Sequence, residues 1–145
     1  MVPSLFCQLN EFARLEDYDW RAQESLINAS LPQYRTTISA SAPHSPLRIH
    51  FVHKRSPHPY ATPLLFCHGW PGSVLEVSKI IEPLTNPSKG EDLQAFHVVA
   101  PSIPGFGFSD ASPLEGMGLS ATAGAFDALM QRLGYEHYVA HGGGL

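Results

Sequence analysis

The stretch Pro63-Leu64-Leu65-Phe66-Cys67-His68-Gly69-Trp70-Pro71-Gly72-Ser73 decides the fold. Its first part, Pro63 to Cys67, is a continuous apolar run without polar alternation. That is the pattern of a parallel strand covered on both faces. The run enters a turn of glycine and proline, His68 to Gly72. Beyond it Val74, Val77, Ile81 and Leu84 recur at helical spacing, which predicts one helix with a single core-facing stripe. A buried strand, a tight turn and an amphipathic helix make the repeating unit of an α/β fold.

Downstream the unit repeats. Thr85 to Leu93, with Asn86-Pro87 and Lys89-Gly90, reads as a surface loop. Phe96 to Ala100 is a second buried strand, stopped by Pro101. After a loop from Ser102 to Gly118, Ser120 is placed to cap a helix whose Phe126, Leu129, Met130 and Leu133 share a face, and Gly134 suits its C′ position. His137 to Ala140 predicts a third strand, before the chain runs out as His141-Gly142-Gly143-Gly144-Leu145. Strands alternating with helices imply parallel pairing through right-handed crossovers. Sites in such sheets lie outside the carboxyl ends of the strands, where all three turn-rich segments fall.

Upstream the pattern is different. The acidic start Glu16, Asp17, Asp19 suits a helix N-terminus, with the helix running from Asp17 to about Ile27 and stopped by Leu31-Pro32. Thr36 to Ser39 is a candidate strand and Ser41 to Pro46 a turn. Leu47, Ile49 and Phe51 alternate with Arg48 and His50, the period of a half-buried strand. The two pieces predict a hairpin, so the fold class is α/β with a mostly parallel sheet and an N-terminal hairpin.

Composition narrows the function. The 145 residues suit one domain, with 43% hydrophobic and 15% charged residues, and no repeat is visible. A net charge of −4 without a basic stripe excludes nucleic acid as a partner. Met1 to Asn10 lacks the charged and apolar regions of a signal peptide, and no run approaches the ~20 apolar residues of a membrane span. The two cysteines, Cys7 and Cys67, are expected to be reduced, which points to the cytoplasm.

Three segments carry candidate chemistry. His68 to Ser73 can present a backbone N–H toward a developing oxyanion, because glycine and proline allow a sharp, unobstructed turn. An ordinary strand-to-helix turn is the alternative. Pro101-Ser102-Ile103-Pro104-Gly105-Phe106-Gly107-Phe108-Ser109-Asp110 is either a site loop or a rigid turn. Phe106 and Phe108 in it can serve packing or substrate contact. Gly142 to Gly144 lacks the GxGxxG spacing, the lysine and the following helix of a phosphate cradle. His50, His53 and His58 match no metal-ligand spacing, and His50 and His53 point to opposite sides of a strand, so no metal and no cofactor are expected. Ser73 and Ser109 read as cap and turn residues.

Taken together, HGWPGS, PSIPGFGFS and LGYEHYVAHGGG resemble the microsomal-type epoxide hydrolases. The resemblance extends upstream through DYDWRAQESLINASLPQY, TTIS and LRIHFVHKRS, so it covers the chain from about Asp17 to its end. It implies a partial α/β-hydrolase fold, with residues 1–46 a remnant of that family's N-terminal module and 47–145 the first part of the hydrolase domain. It also implies a small-molecule epoxide substrate. An aspartate at a nucleophile elbow opens the ring to form a covalent ester, cap tyrosines protonate the leaving oxygen, and a later acid-assisted histidine activates the hydrolytic water. Trp70 would supply one oxyanion N–H, while His68, Gly69 and Pro71 shape the loop, with a cis Trp70–Pro71 bond. Gly142 and Gly143 would form the elbow and Leu145 offer the second N–H.

The elbow is where the chain departs from the family. The family reads Gln-Gly-Gly-Asp-Trp-Gly, whereas Gly144 occupies the nucleophile position here and has no side chain to attack with. The chain is therefore expected to be shortened at both ends and to open no epoxide. For a eukaryotic source, an unspliced intron at the nucleophile codon would produce Gly144, Leu145 and the stop in one event. The competing expectation is a non-catalytic remnant that binds a partner, or itself, through an exposed sheet edge at its last strand. Another hydrolase sharing the loop is disfavoured by the upstream match.

Overall fold

The computed structural model describes residues 18–39, 46–88 and 93–143. The Ser41–Ser45 part of the expected turn lies outside them, as do Cys7, Gly144 and Leu145. The chain divides into two compact units, one ending at Ser30 and one beginning at Leu31. In the first, helix α1 spans Trp20–Ser30. Asp17 lies outside the described residues, and the capping carboxylate is that of Asp19, whose Oδ1 accepts from the Ala22 N–H at 2.9 Å.

The second unit holds strands β1 (Gln33–Ile38), β2 (Leu47–Lys54), β3 (Thr62–Cys67), β4 (Phe96–Pro101) and β5 (Val139–Gly142). They form one sheet in the order β1-β2-β4-β3-β5. The expected hairpin is present, with β1 and β2 antiparallel in a register from Gln33↔Val52 to Ile38↔Leu47. β2 pairs antiparallel with β4, while β3 pairs parallel with β4 and with β5.

Helix α3 (Leu119–Arg132) covers one face of the sheet. Its Phe126, Leu129 and Met130 pack with Ile38, Leu47, Ile49, Phe51, Leu65 and Val99 into the main core. Burying a side chain of this size stabilises the fold by about 1.5–3 kcal/mol each. Residues of opposite parity, Leu64, Phe66, Val98 and Ala100, are also buried. The polypeptide between β3 and β4 packs against β4 and carries the buried Val74, Val77 and Ile81.

That polypeptide corrects the single-helix expectation. It is a 3-10 segment, Val74–Lys79, followed after Ile80 by a short helix α2, Ile81–Thr85. Pro83 is the physical reason. It has no N–H to give to the Lys79 carbonyl, and its ring would press on that group, so a continuous helix cannot pass. Restarting at Ile81 places Pro83 in a first turn, where its missing N–H costs nothing. Thr85, read as the start of a loop, is buried and donates its hydroxyl to the Ile81 carbonyl at 2.8 Å.

Two further expectations change. β2 is not half-buried: its His50 is 5% and its Val52 0% exposed. It is an interior strand, and the segment after β4 lies across its Arg48 and His50 positions. Ser120 does not cap α3, because the helix begins earlier. The Gly118 carbonyl already accepts from the Thr122 N–H at 3.0 Å, and no side chain caps it. At the other end Gly134 behaves as expected, with φ of 86°. The Tyr135 N–H bonds the Met130 carbonyl at 2.9 Å and the Gly134 N–H that of Gln131 at 3.0 Å, closing the helix with a Schellman motif. The last strand lies slightly later than His137–Ala140, because Gly142 pairs with Cys67. It forms the sheet edge with all four residues exposed.

Candidate active site

The loops after β3 and β4 leave the sheet at its carboxyl edge, where β5 also ends and where β3 places His68 to Ser73. The Trp70–Pro71 bond is cis. The Gly72 N–H donates to the Gly69 carbonyl at 3.0 Å and closes a tight turn. Glu76, on the 3-10 segment, reaches back over this turn, and its carboxylate accepts from the Gly69 N–H at 3.4 Å. A Cβ at Gly72 would overlap that carboxylate and stand 2.9 Å from the Gly69 carbonyl, so the close approach demands glycine. Ser73 caps the 3-10 segment, its hydroxyl accepting from the Leu75 N–H at 3.2 Å, and does not face the turn as a nucleophile. Among the described residues the Trp70 N–H has no acceptor, and Trp70 is 61% exposed.

His68 is buried and joins this turn to the next loop. Its Nε2 faces the Ile103 N–H at 3.4 Å and its Nδ1 the Gly69 carbonyl at 2.8 Å. An amide N–H only donates, so Nε2 accepts and the proton sits on Nδ1.

The loop after β4 is fastened to the hairpin. Asp110 accepts from the Arg48 Nε at 2.9 Å and from the Arg35 guanidinium at 2.6 Å. The hydrogen bond from Arg48, with Arg35 adding charge, holds the Asp110 carboxyl below the usual carboxylate range. Its N–H donates to the Arg48 carbonyl at 2.9 Å. Ser102 and His50 meet beside it. The Ser102 hydroxyl donates to His50 Nδ1 at 2.8 Å, because His50 Nε2 must donate to the Gln33 amide oxygen at 3.0 Å. Burial first, and the Arg35 charge second, push the His50 pKa down and keep the ring neutral. This is a serine–histidine pair, but Ser102 is 3% exposed, so the pair ties the loop down and meets no substrate. Ser109 completes the tie: its hydroxyl donates to the Ser102 carbonyl and accepts from the His50 N–H, both at 2.9 Å.

At the end of β5, a Cβ on Gly142 would meet Cys67 at 3.5 Å, ordinary contact, and one on Gly143 would meet nothing. The His141 ring stacks on Phe66 with centroids 5.5 Å apart. Phe106 and Phe108 are both exposed on the second loop, with the Phe108 ring edge-on to His50 at 5.2 Å. His53 bonds the Tyr135 hydroxyl and His58 is exposed, so the three histidines weighed as ligands stand apart. Among the described residues no group of three or more histidine, cysteine, aspartate or glutamate side chains could hold a metal.

The site therefore has three parts that sequence reasoning missed: the Arg35–Asp110–Arg48 clamp, the His50–Ser102 pair and the His68–Ile103 link. None of the three left a signal of its own: His50, set between the apolar Ile49 and Phe51, reads as the solvent-facing position of a half-buried strand.

Residues 9–77 match the family described as epoxide hydrolase N terminus, and residues 62–143 match the alpha/beta hydrolase fold. The chain belongs to the epoxide hydrolase family of α/β-hydrolases. Epoxide hydrolase 1 of Oryctolagus cuniculus is 44% identical over 130-odd positions (133), which cover 88% of this chain and 28% of that protein. The juvenile hormone epoxide hydrolase of the silkworm Bombyx mori superposes with a TM-score of 0.79 at 37% identity, over 91% of this chain and 33% of that one. The Aspergillus niger epoxide hydrolase gives 0.78 at 35% identity, over 99% and 36%. The chain thus spans about a third or less of the length of these epoxide hydrolases. Among its described residues no helix is long and apolar enough to cross a membrane.

Proposed function

We propose that the chain supplies the oxyanion side of an epoxide hydrolase site, in which an ester formed by ring opening is hydrolysed to release a diol. The observation that carries the reading is the state of the turn at the end of β3. The Gly69 N–H and carbonyl are both engaged, while the Trp70 N–H, at the same sheet edge as the end of β5, has no acceptor among the described residues. When water attacks the ester, the carbonyl oxygen becomes an oxyanion. One such donor is worth about 3 kcal/mol of transition-state stabilisation. Exposed Trp70, Phe106 and Phe108 give that edge the apolar character an epoxide needs.

Ring opening requires a carboxylate at position 144, and the chain has Gly144 there. The 145-residue polypeptide by itself therefore turns over no epoxide. The exposed edge of β5 favours the second reading, a module that binds another strand. We also place a module boundary after Pro46, although β1 and β2 on either side of it share one sheet.

A chimera tests the first reading. Residues 62–140 replace the matching segment of the Aspergillus niger enzyme, whose remaining sequence is unchanged. Diol formation from a styrene-oxide-type substrate is expected. A folded chimera without turnover overturns the oxyanion assignment.

A further inference from the structure

The Gly69 carbonyl and the Trp70 N–H belong to one peptide unit, whose planarity points them in opposite directions. Whatever aims the carbonyl also aims the N–H. Two donors hold that carbonyl: the Gly72 N–H at 3.0 Å and the His68 Nδ1–H at 2.8 Å. The second exists only if the His68 proton sits on Nδ1. With the proton on Nε2 instead, two donors would face each other at Ile103 and two acceptors at Gly69. The Ile103 N–H therefore selects the tautomer that holds the Gly69 carbonyl, and with it the direction of the Trp70 N–H.

Ile103 in turn sits in a loop pinned at both ends. On its N-terminal side, the Ser102 N–H donates to the His50 carbonyl at 2.8 Å. Beyond it, the Phe106 N–H returns to the Ile103 carbonyl at 2.9 Å, and the Gly105 N–H donates to the Asp110 carbonyl at 3.0 Å. Asp110 is the point where the whole loop meets the hairpin. Its side chain takes Arg48 and Arg35, and its main chain takes the Arg48 carbonyl. The hairpin side of the sheet is thereby connected to the turn after β3 through one carboxylate and one imidazole.

We infer that Asp110 is a positioning residue for the Trp70 N–H, acting through Ile103 and the tautomer of His68. The inference rests on the oxyanion reading for its purpose, but its test reads a ring proton rather than turnover, so the two fail separately. In the full 145-residue chain at mildly alkaline pH, long-range proton–nitrogen correlation spectra report which ring nitrogen of His68 is protonated. The wild type is expected to show Nδ1–H. Asp110→Asn is expected to lose most of that form in favour of Nε2–H, while the amide resonances of β3 and β4 stay dispersed. If Asp110→Asn loses dispersion, Arg35→Gln, which removes the 2.6 Å contact and leaves Arg48 on Asp110, is read in the same way. Nε2–H in the wild type overturns the inference, as does an unchanged tautomer in a folded variant. Loss of dispersion in both variants also overturns it, because Asp110 would then hold the fold rather than aim one peptide.

Discussion

Gly134→Ala separates the cost of backbone conformation from the cost of crowding. Gly134 has φ of 86°, in the left-handed region, and a Cβ built there meets no atom within 4 Å. Crowding therefore contributes nothing, and the penalty is the intrinsic one for an L residue in that conformation, about 1–2 kcal/mol. Alanine also stiffens the unfolded chain, which offsets roughly 0.4–1 kcal/mol of that loss. The net expectation is destabilisation by about 1 kcal/mol. Asparagine tolerates the same conformation, so Gly134→Asn should cost less than Gly134→Ala. Urea unfolding followed by circular dichroism, at concentrations dilute enough to keep the chain monomeric, reads both variants as shifts in midpoint at constant slope. A neutral or stabilising Gly134→Ala would refute the argument, and so would an asparagine variant as damaged as the alanine one.

Acid should weaken the fold in a defined window. Burial, helped by the charge of Arg55 and by His97, lowers the His53 pKa to about 4. The unfolded chain then binds this proton first, so stability is full above pH ~6.5 and falls as pH drops toward 4, by about 1–2 kcal/mol for a partly exposed ring. Urea midpoints across that range check the sign, and His53→Gln should flatten the slope. Leu129→Ala, at a position 0% exposed, should cost about 2–5 kcal/mol. Tyr60→Ala, at a position 91% exposed, should stay within about 0.5 kcal/mol of wild type, and equal losses in the two would contradict the core assignment. Concentration-dependent association in sedimentation velocity is expected from the open edge of β5, and Val139→Lys should reduce it. Association unchanged by that lysine would place the contact elsewhere.

The parts of the fold that were legible in the sequence are those set by neighbours along the chain. Leu64, Leu65 and Phe66 form an apolar run wherever they are placed, and Gly134 ends α3 through its own backbone. Pro83 was equally local, and its lost N–H explains why the stripe from Val74 to Leu84 is not one helix. The misreadings came from long-range partners. His50 looked solvent-facing because the serines that cover it lie 52 and 59 residues away. The site divides in the same way. His68 to Pro71 was visible because glycine and proline make a turn in any context. Asp110 was not, since its arginines lie 62 and 75 residues upstream, and an aspartate after a serine in a loop is unremarkable until the hairpin comes beside it.

The strand order also constrains how the chain can be assembled as it leaves the ribosome. β1 and β2 zip together locally, but β3 emerges next with no neighbour to join, because the place beside β2 is reserved for β4. Until Phe96 to Pro101 has been made, Leu64, Leu65 and Phe66 are an apolar strand with both hydrogen-bonding edges open. A nascent chain that pauses between Thr85 and Phe96 is therefore at its most adhesive, and that is the interval in which a chaperone has the most to protect.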